Sequence, residues 1–195
     1  MLFFGVGSFA HAELTIDVTK DIESGGIPIA IASFGGGAPE NIAGIIASDL
    51  QRTGKIAPQP AGSRADYAVT GQAQPGGARG YIVQFQLAGA QGAPLLNLSF
   101  DVAPNQLRPV AHKISDLIYE KLTGEKGLAG TRIAYIASGG GSWYLVVADA
   151  DGQNPRVILR SSQPLMSPAW SPDGGKLAYV SFEGRRPQII VQDVY

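Results

Sequence analysis
Few residues in this chain have types and spacing that suggest chemistry. There are two histidines, His11 and His112. His11 lies in an apolar N-terminal stretch. His112 has Arg108 and Asp116 as its neighbours at helical spacing. A lone histidine on a helix is more often packed or solvated than catalytic. Acyl-transfer chemistry would need a GxSxG nucleophile elbow followed by Asp and His, and neither the elbow nor a spare histidine is present. There is no cysteine, which excludes disulfides, thiolate catalysis and cysteine-ligated zinc. Gly35, Gly36 and Gly37 stand between an apolar run and a helix-like stretch, a placement that invites phosphate binding. The specific pieces are missing: there is no GxxxxGK[ST] and no GxGxxG, and Gly54-Lys55 falls at the far end of the helix. Glu40 would also repel phosphate at the helix start. The glycines therefore read as a structural turn, and no catalytic, cofactor or metal residue is assigned.

The totals agree with a folded, non-nucleic-acid protein. Hydrophobic residues are 45% and charged residues 16%, so a core can form and disorder is not the default. A net charge of −1 argues against sequence-independent nucleic-acid binding, which needs a basic surface. The 26 glycines are scattered in turns with no three-residue period, which excludes a collagen-like chain.

Four segments follow in order. Residues 1–12 hold a short apolar run ending in Ala10-His11-Ala12, a small-x-small pattern. The run suits a signal-peptide remnant and is far below the about 20 residues of a membrane span. Residues 13–26 form an arm in which Leu14, Ile16 and Val18 alternate with Thr15, Asp17 and Thr19, the period of a strand. Such an arm can pair within its own domain or add to the edge of another protein's sheet.

Residues 27–127 read as an α/β domain. Its first strand, IPIAIASF from position 27, is apolar enough to be covered on both faces. Pro39-Glu40-Asn41 opens a helix, with Pro39 in the first turn, whose buried face carries Ile42, Ile45, Ile46 and Leu50. Gly54 stops it. Residues 58–64 read as a proline-containing polar linker. Strands then follow at about 66–74, 80–87 and 94–102, joined by glycine-rich turns that suggest antiparallel neighbours. A second helix spans about 107–122 with Pro109 in its first turn, and Thr123-Gly124 ends it.

Residues 128–195 carry a repeat. RIAYI at 132–136 aligns without a gap with KLAYV at 176–180, and Asp149 falls on Asp193 about 44 residues later. Trp170-Ser171-Pro172-Asp173-Gly174 is a strand end entering a turn. Strands are expected at about 132–137, 143–150, 156–160, 168–170, 176–182 and 188–194. A period of about 40–45 residues with several strands is the signature of a β-propeller blade. The fold class is therefore an α/β (α+β) N-terminal domain followed by an incomplete β-propeller, the first blade and part of a second.

SPAWSPDGGKLAYV resembles the repeat of the TolB family, periplasmic propeller proteins of the Tol-Pal envelope system. LRPVAHKISDLIYEKLTGEKG and PIAIASFGGGAPENIAGIIASDLQRTGKI resemble the family's N-terminal domain. The stretch between Ile56 and Asp66 is shorter than the family's, which puts an extra helical segment in doubt. The resemblance implies six blades in a complete member, so Tyr195 reads as a truncation. It also implies a non-enzymatic role without cofactors, in the periplasm, in outer-membrane invagination during division and in outer-membrane integrity. The arm residues Glu13, Leu14, Thr15, Ile16, Asp17 and Val18 would contact TolA, and the propeller would contact the lipoprotein Pal. Two other readings remain: the propeller portion of a serine peptidase, and a stand-alone ligand-binding α/β domain.

Overall fold
The structure, a computed structural model, describes residues 25–76 and 80–194. The signal-remnant reading of residues 1–12 and the six arm residues from Glu13 to Val18 lie outside the described residues.

The first five strands form one mixed sheet. β1 (Ile27–Ile31) runs parallel to β2 (Ile56–Pro60) on one side and to β3 (Tyr67–Gly76) on the other. β4 (Gly80–Ala88) and β5 (Pro94–Val102) follow antiparallel, giving the order β2-β1-β3-β4-β5. Helices α1 (Ile42–Arg52) and α2 (Leu107–Thr123) both pack on one face. Ile29, Val69, Phe85 and Leu87 from the sheet meet Ile46 and Leu50 of α1 and Ile114 and Ile118 of α2 in one buried cluster. Cover on both faces, expected for β1, is thus not general to the sheet. Over β3, β4 and β5 the opposite face presents exposed Thr70, Gln72, Gln84, Asn97 and Ser99, as the strand alternation requires.

Two local expectations are corrected. The stretch at 58–64 is not all linker, because residues 56–60 pair with β1 as an edge strand. Pro58 and Pro60 share one parity, so both ring nitrogens point away from β1 and no ladder hydrogen bond is lost. No helix lies between Ile56 and Asp66. Helix α1 begins at Ile42, later than expected, because Asn41 is its cap: the Asn41 side chain accepts a hydrogen bond from the Gly44 N–H at 3.0 Å. Pro39 and Glu40 stand outside it. The glycine turn is structural, as expected. The Ala73 N–H donates to the Gly35 carbonyl at 2.7 Å, and Gly36 has φ +102 at a place where a β-carbon would collide with the Ala73 carbonyl.

The later strands form two antiparallel sheets. β6 (Arg132–Gly139), β7 (Ser142–Asp149) and β8 (Arg156–Ser161) make the first. β9 (Leu165–Trp170), β10 (Lys176–Ser181) and β11 (Gln188–Asp193) make the second. The repeat is visible in the register: Arg132 pairs with Asp149 as Lys176 pairs with Asp193. By the same offset, the counterpart of β9 would fall at the end of α2, so the first sheet has no strand in that place among the described residues. Leu145, Val147, Leu165, Leu177 and Tyr179 fill the core between the two sheets. In the turn after β9, the Ser171 hydroxyl donates to Asp173 and accepts the Lys176 N–H at 2.9 Å, while Gly175 N–H donates to Asp173 at 3.0 Å. The Ser171 and Gly175 donors hold the Asp173 carboxyl below the usual range.

Candidate functional site
The titratable groups that the fold gathers lie where α1 and α2 meet the turn after β7. On α2, Arg108, His112 and Ser115 follow one another at spacings of four and three and so share a face. His112 is 3% exposed. Its Nδ1 lies 2.7 Å from Asp49 Oδ2 on α1, and the Ser115 hydroxyl donates to the same oxygen at 2.8 Å. Asp49 Oδ1 takes an ion pair from Arg52, one turn on in α1. The other edge of the cluster comes from the blade. Arg108 pairs with Asp151 through Nη2, and its Nε lies 3.5 Å from Asp149 Oδ2. His112 Nε2 is 4.0 Å from Asp151 Oδ2 and has no hydrogen-bond partner in the structure.

The electrostatics follow from this geometry. The hydrogen bond to Asp49 raises the His112 pKa above its ordinary value, with support from the Asp49 and Asp151 charges, against burial and the Arg108 charge. Burial pushes Asp151 up, but the Gln153 N–H, Arg108 and His112 together hold it below the usual carboxylate range. His112, Asp149 and Asp151 bring ligand-type atoms within 4.8 Å of one another. The Arg108 guanidinium already bridges the two carboxylates, so the arrangement is an ion-pair network. Beside it lies a cleft of about 430 Å³ whose lining includes Asp49, Arg52, Ser115, Tyr119, Lys126 and Ala150. The segment after α2 is tied back: Asp116 accepts the N–H groups of Ala129 at 2.7 Å and Gly130 at 3.0 Å. Lys55 donates to Glu125 at 2.7 Å, and the Tyr119 hydroxyl donates to Glu125 at 3.1 Å.

His112 is therefore packed, as the sequence suggests, but Asp116 is not its partner. Its partner is Asp49, on the other helix, which no motif marks in the sequence. The available signal was an acid on the same helix face as Ile42, Ile46 and Leu50. Asp149 stood out only as a repeat position.

Comparisons with known proteins agree with the architecture. The family described as TolB amino-terminal domain matches residues 14–65, and the family described as TolB beta propeller domain matches residues 119–195. A Tol-Pal system protein TolB from Thioalkalivibrio sulfidiphilus is 42% identical over 95% of this chain and 49% of its own length. Those from Sodalis glossinidius and Haemophilus influenzae are 43% and 41% identical, over 95% and 100% of this chain and 50% and 52% of their own length. The crystal structure of TolB from Acinetobacter baumannii superposes with a TM-score of 0.79 at 34% identity, over 87% of this chain and 47% of that one. The chain spans about half the length of the curated relatives it matches. With its mixed sheet, its two-helix layer and its in-register blade repeat, this chain belongs to the TolB family.

Proposed function
We propose that the chain acts by binding other proteins of the Tol-Pal system in the periplasm, without catalysis. The observation that carries this reading is likeness along 95% to 100% of the chain to proteins named Tol-Pal system protein TolB. The chemistry of the junction supports it. His112 is buried and engaged with Asp49, and it is not among the residues lining the neighbouring cleft. In this reading residues 1–12 are a signal remnant, 13–26 an arm, 27–127 an α/β domain and 128–195 the start of a propeller. The arm residues Glu13, Leu14, Thr15, Ile16, Asp17 and Val18 add as a strand to TolA, and the propeller engages Pal. The assembly serves outer-membrane invagination during division and outer-membrane integrity. No helix among the described residues is long and apolar enough to cross a membrane.

The test is calorimetric titration of the chain from Glu13 with periplasmic TolA and with Pal, beside a chain that begins at Gly25. TolA binding that is lost in the shorter chain, with its circular dichroism unchanged, is expected. A folded chain from Glu13 that binds neither protein overturns the reading.

A further inference from the structure
The groups around His112 form a balance that one proton decides. Facing it from α1 is Asp49, itself paired with Arg52; from its own helix α2, Arg108 and Ser115; from the end of β7, Asp149; and from the turn after it, Asp151. Three carboxylates meet two guanidiniums, so the cluster carries −1 with His112 neutral and 0 with His112 protonated. The two ring nitrogens face opposite sides of a seam. Nδ1 is 2.7 Å from Asp49, within the α/β unit, whereas Nε2 looks across to Asp151 of the blade at 4.0 Å.

The contact across the seam therefore changes sign with protonation. In the protonated ring both nitrogens donate, Nδ1–H to Asp49 and Nε2–H toward the Asp151 carboxylate. In the neutral ring the Asp49 hydrogen bond keeps the proton on Nδ1, and Nε2 turns a lone pair toward an anion. That group is 4% exposed on the histidine side and 8% on the aspartate side, so water screens the change poorly. Arg108 remains as a charge on α2 that holds the blade in either state.

We propose that His112 is a proton-operated clasp between the α/β unit and the first blade, closed when the imidazole is protonated and loosened when it is neutral. Because only the protonated ring offers an Nε2–H to Asp151, the joined arrangement is favoured below the His112 midpoint of the parted state, where Asp49 still holds Nδ1, and weakens as pH rises through the higher midpoint of the joined state. If that midpoint lies one pH unit above the midpoint of the parted state, the ratio of joined to parted molecules falls about tenfold across the transition.

The chain has no cysteine, so spin labels can be placed at will. Labels at Ser63→Cys and Arg186→Cys report the distance between the two units by pulsed electron resonance. The His112 ring resonance, followed by NMR on the same chain, reports protonation. The expected result is a narrow distance distribution at pH 5.5 that broadens with the midpoint of the His112 titration. In His112→Gln the distribution should no longer depend on pH between 5.5 and 8.5. In Asp151→Asn, which leaves Asp49 and the core in place, the His112 midpoint should fall and the pH dependence of the distance should shrink with it. A distance distribution that ignores the His112 titration, or one whose pH dependence survives in His112→Gln, overturns the proposal. So does an unchanged His112 midpoint in Asp151→Asn, which also serves if His112→Gln fails to fold.

Discussion

Replacing Asp49 by alanine should be among the most damaging single changes at the junction. Asp49 is 4% exposed, and one of its oxygens takes both His112 Nδ1 at 2.7 Å and the Ser115 hydroxyl at 2.8 Å. Its Arg52 partner is 48% exposed by side chain and can return to water, so that pair contributes little. The Ser115 hydroxyl keeps the Ala111 carbonyl as an acceptor at 3.0 Å, so the loss comes mainly from His112. Breaking its buried pair with Asp49 costs about 3–5 kcal/mol. Asp49→Asn keeps one acceptor oxygen but removes the charge, which puts its cost near 1–2 kcal/mol. The Asp49→Ala loss should be larger at pH 6 than at pH 8.5, because the protonated His112–Asp49 pair that it removes stabilises the parent at low pH and fades as pH rises through the raised His112 midpoint. Urea unfolding at both pH values measures this. Far-UV circular dichroism follows α1 and α2, and fluorescence follows Trp143 and Trp170, which both lie in the blade sheets. Fitting the two signals separately avoids assuming that the halves unfold together. Asp49→Ala within about 0.5 kcal/mol of the parent at both pH values, the range of a surface change, would refute the reasoning. So would an Asp49→Asn as costly as Asp49→Ala.

Three further outcomes follow from other parts of the molecule. Asn41→Ala removes the acceptor for the Gly44 N–H and should lower helix stability by about 1 kcal/mol, read from the dichroism transition in urea. Gly36→Ala places a methyl against the Ala73 carbonyl at a φ of +102 and should cost more than about 1 kcal/mol in the same assay; an unchanged midpoint would show that the turn can move away. An isolated piece of residues 128–195 should self-associate, because Ile189 and Val191 on β11 are 77% and 61% exposed. Light scattering that rises with concentration, and falls in Ile189→Lys, is the expected result. A sharp, concentration-independent melt of that piece would contradict it.

The parts of the fold that were legible in the sequence are those written in local spacing. Ile42, Ile46 and Leu50 announce the inner face of α1, and the in-step Asp149 and Asp193 announce the shared register of two sheets. The clasp was not legible. His112 meets Asp49 across 63 residues, and Arg108 meets Asp151 across 43, distances over which no periodicity carries information. The apolar count that found α1 also passed over the one acid on its inner side. β2 was missed for another reason: two prolines mark a break in most contexts, and only an edge position with a single neighbour turns them into strand residues.

Those two prolines give the sheet a direction of growth. Along the outer rim of β2, Pro58 and Pro60 offer carbonyl oxygens and no N–H, so a strand laid there could donate to the sheet but receive nothing back from those positions. β1 is closed by ladders on both sides. The far rim, β5, has only Pro94 at its beginning and keeps its alternate N–H groups over the rest of its length. A strand from outside therefore meets a one-way margin at one end of the sheet and a two-way margin at the other, so the sheet can be lengthened through β5 and resists extension through β2.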